Sequence, residues 1–142
     1  MPYPARFAAA ALGPLAWVWT GLVLGVSFFA TPIKFQAASL ARPVAFEVTG
    51  VTFAAFNRIE IAAAIVLLAA ALLARRPLVI ALCAAAAAIV AVQAAWLLPE
   101  LLQRVELVQA GQELPPSPVH ALYSGAEIVK VAALVVTGLA AR

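Results

Sequence analysis

Residues 61–99 read IAAAIVLLAAALLARRPLVIALCAAAAAIVAVQAAWLLP. The run from Ile61 to Leu73 and the run from Leu78 to Leu98 are almost wholly apolar, and only Ala74 and the Arg75-Arg76-Pro77 turn separate them. A link that short allows one arrangement, an antiparallel hairpin of two helices. The second run holds 21 residues by its bounds, close to the roughly 20 that cross a bilayer, and the first is too short to cross alone. Its helix therefore extends upstream through Phe53, Phe56 and Asn57 towards Pro43, and that extension draws Asn57, Arg58 and Glu60 into the membrane.

The rest of the chain follows the same logic. A third apolar stretch runs from Phe7 to Ala30, and at 1.5 Å per residue it reaches about 36 Å. It exceeds the 7–15-residue core of a cleaved leader and carries Trp17, Trp19 and three glycines, so it is read as a span. Thr31-Pro32 is expected to end it, because a residue before proline disfavours the helical region. The last stretch covers Val119 to Ala141, after the non-helical Pro115-Pro116-Ser117-Pro118 turn. Between Pro99 and Gly111, Leu101, Leu102, Val105 and Val108 recur at helical spacing among polar residues. This predicts a short amphipathic helix between spans three and four, or a kinked continuation of span three. The fold class is therefore an all-α integral membrane protein. It is one four-helix antiparallel bundle over 1–142, with helices at 7–30, 43–74, 78–98 (extending to 110) and 119–141.

Composition agrees. Of 142 residues, 66% are hydrophobic and 11% charged, with a mean hydropathy of +1.07. Soluble domains are nearer 45–50% apolar and about 25% charged. The surplus of nine Lys and Arg over six Glu is scattered, which excludes a nucleic-acid surface and fits the flanks of membrane spans. The one cysteine, Cys83, excludes a disulfide framework and any paired-cysteine motif. It is read as a buried, inert thiol near the inner end of its span. Arg6, Arg75, Arg76 and Arg142 fall on one face, against Lys34, Arg42 and Arg104 with Glu100, Glu106 and Glu113 on the other. The double arginine in a short loop places both termini on the cytoplasmic side of the membrane.

Ionisable groups inside hydrocarbon cost about 2.5–3.5 kcal/mol each on insertion scales, so they must face protein or water. His120, Tyr123, Glu127 and Lys130 share one face of the last helix, and Asn57 and Glu60 share one face of the second. Arg58 points about 160° away from Glu60. By helical rise, Glu60 and Gln93 lie roughly 7–8 Å below the outer boundary, Glu127 about 9 Å and Lys130 about 13 Å. Asn57, Arg58, Glu60, Gln93, Tyr123, Glu127 and Lys130 thus form one polar layer in the outer half, with Lys130 pairing Glu60 across helices and Glu127 as its alternate partner. Two readings compete. The layer binds, and transports, an ion or small molecule, in a homo-oligomer because four short helices can hardly enclose a pathway. Alternatively it is a structural clasp in an accessory subunit of a larger membrane complex, since Arg58, Glu60, Glu127 and Lys130 sum to zero charge. His120 with Glu127 is the candidate site for a divalent metal. No motif requires a cofactor or pairs a nucleophile with a base, and a single histidine excludes bis-histidine haem ligation within one copy. Gly21-x-x-x-Gly25 matches a close-packing helix motif, with packing inside the chain as the simplest use. One of Trp17 and Trp19, both away from the interfacial belt, is expected to face the bundle.

The segment LLPELLQRVELVQAGQELPPSPVHALYSGAEIVK (97–130), with GLVLGVSFFATPIKF (21–35) and FAAFNRIE (53–60), resembles the bacterial membrane family catalogued as domain of unknown function 4149. That family is related to the eukaryotic transmembrane protein 205 family. The resemblance implies four helices with a long loop before the last. It implies Glu60, His120, Tyr123, Glu127 and Lys130 as pattern positions. The eukaryotic relatives' association with drug resistance implies transport.

Overall fold

In the computed structural model, which describes residues 3–141, four helices are long and apolar enough to cross a membrane, and no strand occurs among the described residues. Helix α1 runs Tyr3–Lys34, α2 Arg42–Ala74, α3 Pro77–Gln109 and α4 Val119–Ala140. Each packs on its two neighbours around a ring, α1 on α2 and α4, α3 on α2 and α4. The result is an up-down-up-down bundle. Such helices belong in a lipid bilayer, where only backbone that bonds within its own segment can face hydrocarbon.

The hairpin at the Arg75 turn is tight because each residue has a defined part. Arg75 adopts a left-handed conformation (φ 54°) and its N–H closes on the Leu72 carbonyl at 3.2 Å. Pro77 then starts α3 at a position where no N–H is needed. The Arg76 guanidinium donates to the Ala140 carbonyl at 3.1 Å, satisfying one orphan acceptor at the end of α4. Arg142, used above to read orientation, lies outside the described residues.

One expected helix end is not an end, and one open alternative is decided. α1 continues past Thr31-Pro32 to Lys34, through a π-helical segment at Leu24–Ala30. Thr31 stays right-handed helical (φ −64°, ψ −52°). α3 runs on past Pro99, through a π-helical segment at Gln93–Leu97, so the amphipathic stretch is the far end of α3 and not a separate helix. The physical reason is shared. A proline in a helix interior lacks an N–H and crowds the carbonyl four residues earlier, and the wider π turn just before it makes room.

The core of the bundle is divided in two. One cluster fills most of the bundle length, from Leu12 and Ala71 to Trp19 and Val90. A smaller one, Leu97, Leu98, Val119 and Tyr123, sits at the loop end. Gly21 and Gly25 meet nothing within 4 Å, so the close-packing motif is not used inside the chain. The close approach is at Gly138 instead, where an added Cβ would lie 2.7 Å from Trp17 Cε2.

Candidate functional site

The polar residues of the four helices meet between the two core clusters. Lys130 Nζ is the hub. It lies 2.5 Å from Glu60 Oε1, 2.5 Å from Glu127 Oε1 and 2.9 Å from Gln93 Oε1. Three acceptors from α2, α3 and α4 therefore take all three donors of the ammonium. Lys130 pairs with Glu60 and Glu127 together rather than with one or the other. Gln93 reaches both ways, its Nε2 donating to Glu127 Oε1 at 2.6 Å. Lys130, Glu60, Gln93 and Glu127 are all essentially without solvent contact.

The first helix supplies the remaining donors. Trp19 Nε1 donates to Glu60 Oε1 at 3.0 Å, and Ser27 Oγ donates to Glu127 Oε2 at 2.7 Å. Neither residue is among the seven read from the sequence. Trp19 had a signal, a tryptophan away from the interfacial belt, and of the two tryptophans it is the buried one at 2% exposure, against 40% for Trp17. Ser27 had none beyond being a hydroxyl in an apolar run. Both π-helical segments serve this site: Ser27 lies in the first, Gln93 opens the second, and each donates to Glu127. π-helical turns inside α-helices are frequent at functional sites.

Arg58 stands apart. It is exposed on the outer face of α2, and the ion pairs among the described residues both belong to Lys130. The zero sum that included Arg58 therefore does not describe the cluster. Two residues along a helix is 200°, so Glu60 inside puts Arg58 outside. Within the cluster, two carboxyl groups face one ammonium. Asn57 is buried on the Glu60 face, its amide nitrogen without a hydrogen-bond partner, and Glu60 Oε2 and the Tyr123 hydroxyl are also buried and unpartnered.

A cavity of about 660 Å³ opens above the cluster at the loop end. Glu127, Tyr123, Ser124 and Ser27 line its floor, and Phe28, Phe53 and the α3 leucines its walls, with His120 and Arg104 also among its lining residues. His120 is exposed and Glu127 buried. The described residues contain no group of three His, Cys, Asp or Glu side chains able to surround a metal ion, so these two have no third protein ligand among them. Cys83 is buried towards the Arg75 end, away from the site.

A family model described as "Domain of unknown function (DUF4149)" matches residues 15–106. The matched range takes in Trp19, Ser27, Glu60 and Gln93 and stops before α4, so Tyr123, Glu127 and Lys130 lie beyond it. No curated protein and no solved structure matches the chain.

Proposed function

The chain belongs to the DUF4149 family, whose description names no activity, and we propose from the geometry of its site that it binds an ion or small molecule that enters from the loop end and reaches Glu127. One observation carries this reading. Glu127 is held by donors from α1, α3 and α4 and also forms part of the floor of a cavity. A carboxylate kept only as a clasp has no need of a chamber above it. A concave, mostly apolar pocket with a few convergent polar groups is the usual form of a small-molecule site.

The loop end faces the periplasm of a bacterial inner membrane, with both termini cytoplasmic, on the strength of Arg75 and Arg76 in the short turn. Kinship with the eukaryotic transmembrane protein 205 family favours transport as the use of binding. Transport through so small a bundle calls for a second copy, and Gly21 and Gly25, exposed one turn apart, are where two helices would approach most closely. The competing reading is an accessory subunit with a structural clasp. It draws on the full complement of acceptors around Lys130, yet it assigns no part to the cavity or to the unpartnered Tyr123 hydroxyl.

Cysteine access separates these readings. A Ser124→Cys variant on a Cys83→Ala background places a thiol in the lining of the cavity. A charged, membrane-impermeant thiosulfonate is expected to modify it in right-side-out vesicles within minutes and to leave it untouched in inverted vesicles. Modification from both sides identifies alternating access and hence transport. No modification from either side leaves the clasp as the function of the cluster.

A further inference from the structure

Resting on that reading of the cavity, we infer that its ligand is an apolar organic cation of single positive charge, bound in exchange for one proton. Shape comes first. About 660 Å³ lies within the roughly 300–1,000 Å³ typical of sites that hold small organic molecules, far more than a bare ion needs. The walls then specify an apolar body. Five aromatic rings line them, Phe28, Phe35, Phe46, Phe53 and Tyr123, with the Phe53 and Tyr123 rings edge-to-face at 5.2 Å and Phe35 and Phe46 at 5.4 Å. Clustered aromatic faces attract a desolvated cation, and such cages recognise organic ammonium groups.

The floor sets the sign of the charge. Glu60 from α2 and Glu127 from α4 face a single Lys130, and α1 and α3 contribute only neutral donors there, Trp19, Ser27 and Gln93. A buried unit charge left without a counter-charge is costly. In the empty site one proton on the Glu60–Glu127 pair supplies the balance. When a cation docks above Glu127, the proton leaves through the cavity to water and the charge is conserved. The Tyr123 hydroxyl, buried and unpartnered against the same floor, offers its oxygen to a ligand N–H or its edge to a quaternary centre.

The positive groups near the mouth do not reverse this. Arg104 donates to the Pro115 carbonyl at 2.5 Å, Lys34 lies over the Phe35 ring at 5.8 Å, and His120 is exposed. All stand at the wet end, where salt screens them within about 8–10 Å. They govern the rate of entry, whereas the low-dielectric floor governs affinity. An anion would meet two carboxyl groups with one ammonium already committed to both. A neutral molecule would gain only the walls.

Tetraphenylphosphonium, titrated calorimetrically into the purified full chain in detergent, tests the inference. The titrations run at pH 6.5, 7.5 and 8.5 in two buffers of different ionisation enthalpy, with neutral triphenylphosphine oxide alongside. Saturable binding is expected, tightening up to tenfold per pH unit while the site starts protonated, with release of about one proton per cation, as exchange of one proton for one charge requires. Glu127→Gln leaves Lys130 with Glu60 as a neutral pair, so the fold persists, and it should weaken the cation at least tenfold and flatten the pH dependence. Tyr123→Phe should weaken binding several-fold with the pH dependence kept. Cation binding that ignores pH, or that Glu127→Gln leaves intact, overturns the inference. If the phosphine oxide binds as well as the cation does, the charge assignment falls and the cavity remains a small-molecule site. If neither binds, the cavity reading falls with it.

Discussion

The half of the bundle near Arg75 and the half near the α3–α4 loop are built on opposite rules. At the Arg75 end, α2, α3 and α4 are regular, and their contacts are made by Ala71, Ala74, Val79, Cys83, Ala86 and Leu134, all buried and nearly all small. Trp17 lies against Gly138 with no room for a Cβ between them. At the loop end, two helices change to π-helical form, prolines follow, and a cavity opens beside only a small core. Polar side chains gather at the border of the two regimes. The difference teaches where stability and function are kept: dense small-residue packing holds the helices together at one end, which leaves the other free to stay open.

The largest test of that division strikes the border. Lys130→Met leaves two carboxyl groups facing one another without their ammonium, and breaking a buried ion pair by removing one partner typically costs about 3–5 kcal/mol. A loss of that size is expected in reversible unfolding from mixed micelles, and Glu60→Gln in the same chain should restore part of it, since Glu127 still lacks its ammonium. If the double variant is no more stable than Lys130→Met, the Lys130–Glu60 pair seen at 2.5 Å is not what holds the border together.

Much of this architecture was legible in the residues, and each exception has its own cause. The four spans, the Arg75 hairpin and the layer of Glu60, Gln93, Glu127 and Lys130 follow from hydropathy, helical rise and face, all of them local properties. The continuation of α1 past Pro32 was not legible, and that of α3 past Pro99 was legible only as one of two alternatives, because proline forbids an ordinary α-helical interior and says nothing of a π turn that makes room for it. Ser27, the missing partner of Glu127, was overlooked for a different reason. Ser27 follows the buried Val23 by four residues on the inward stripe of α1, so regular helical geometry already turns it inward, but a lone hydroxyl in an apolar run carries no signal of its partner. The cavity is a property of how far the helix ends splay, which no single segment records.

A smaller effect is expected deep in the dense half. Gly138→Leu drives a side chain into the Trp17 ring, where even a Cβ would lie 2.7 Å from Cε2. Overpacking of this kind costs about 1–3 kcal/mol. The loss should appear in thermal unfolding, while the reactivity of a thiol at position 124 stays at the parent rate, because the cavity is elsewhere. A change in that rate would mean that the halves are coupled and that the close packing tunes the opening.

The smallest effect is expected from Pro99→Ala, and it decides what makes the loop half irregular. Were the proline ring alone responsible, its removal would let Gln93–Leu97 relax to α-helix. That would turn everything beyond by about 100°, the angle of one residue. Such a turn would carry Leu97 and Leu98 off Val119 and Tyr123, with which they form the loop-end core, while Gln93 remains tied to Glu127 and Lys130. The widened segment is thus fixed from both sides and accommodates the proline rather than obeying it. The π-helical form should therefore survive in Pro99→Ala, with stability within about 1 kcal/mol of the parent, as is usual for a change away from packed or paired features. Amide hydrogen exchange across residues 93–99 reads this directly. Protection rising to the level of the neighbouring α-helical amides would show that the proline, and not the Gln93–Glu127 contact, sets the shape of the loop half.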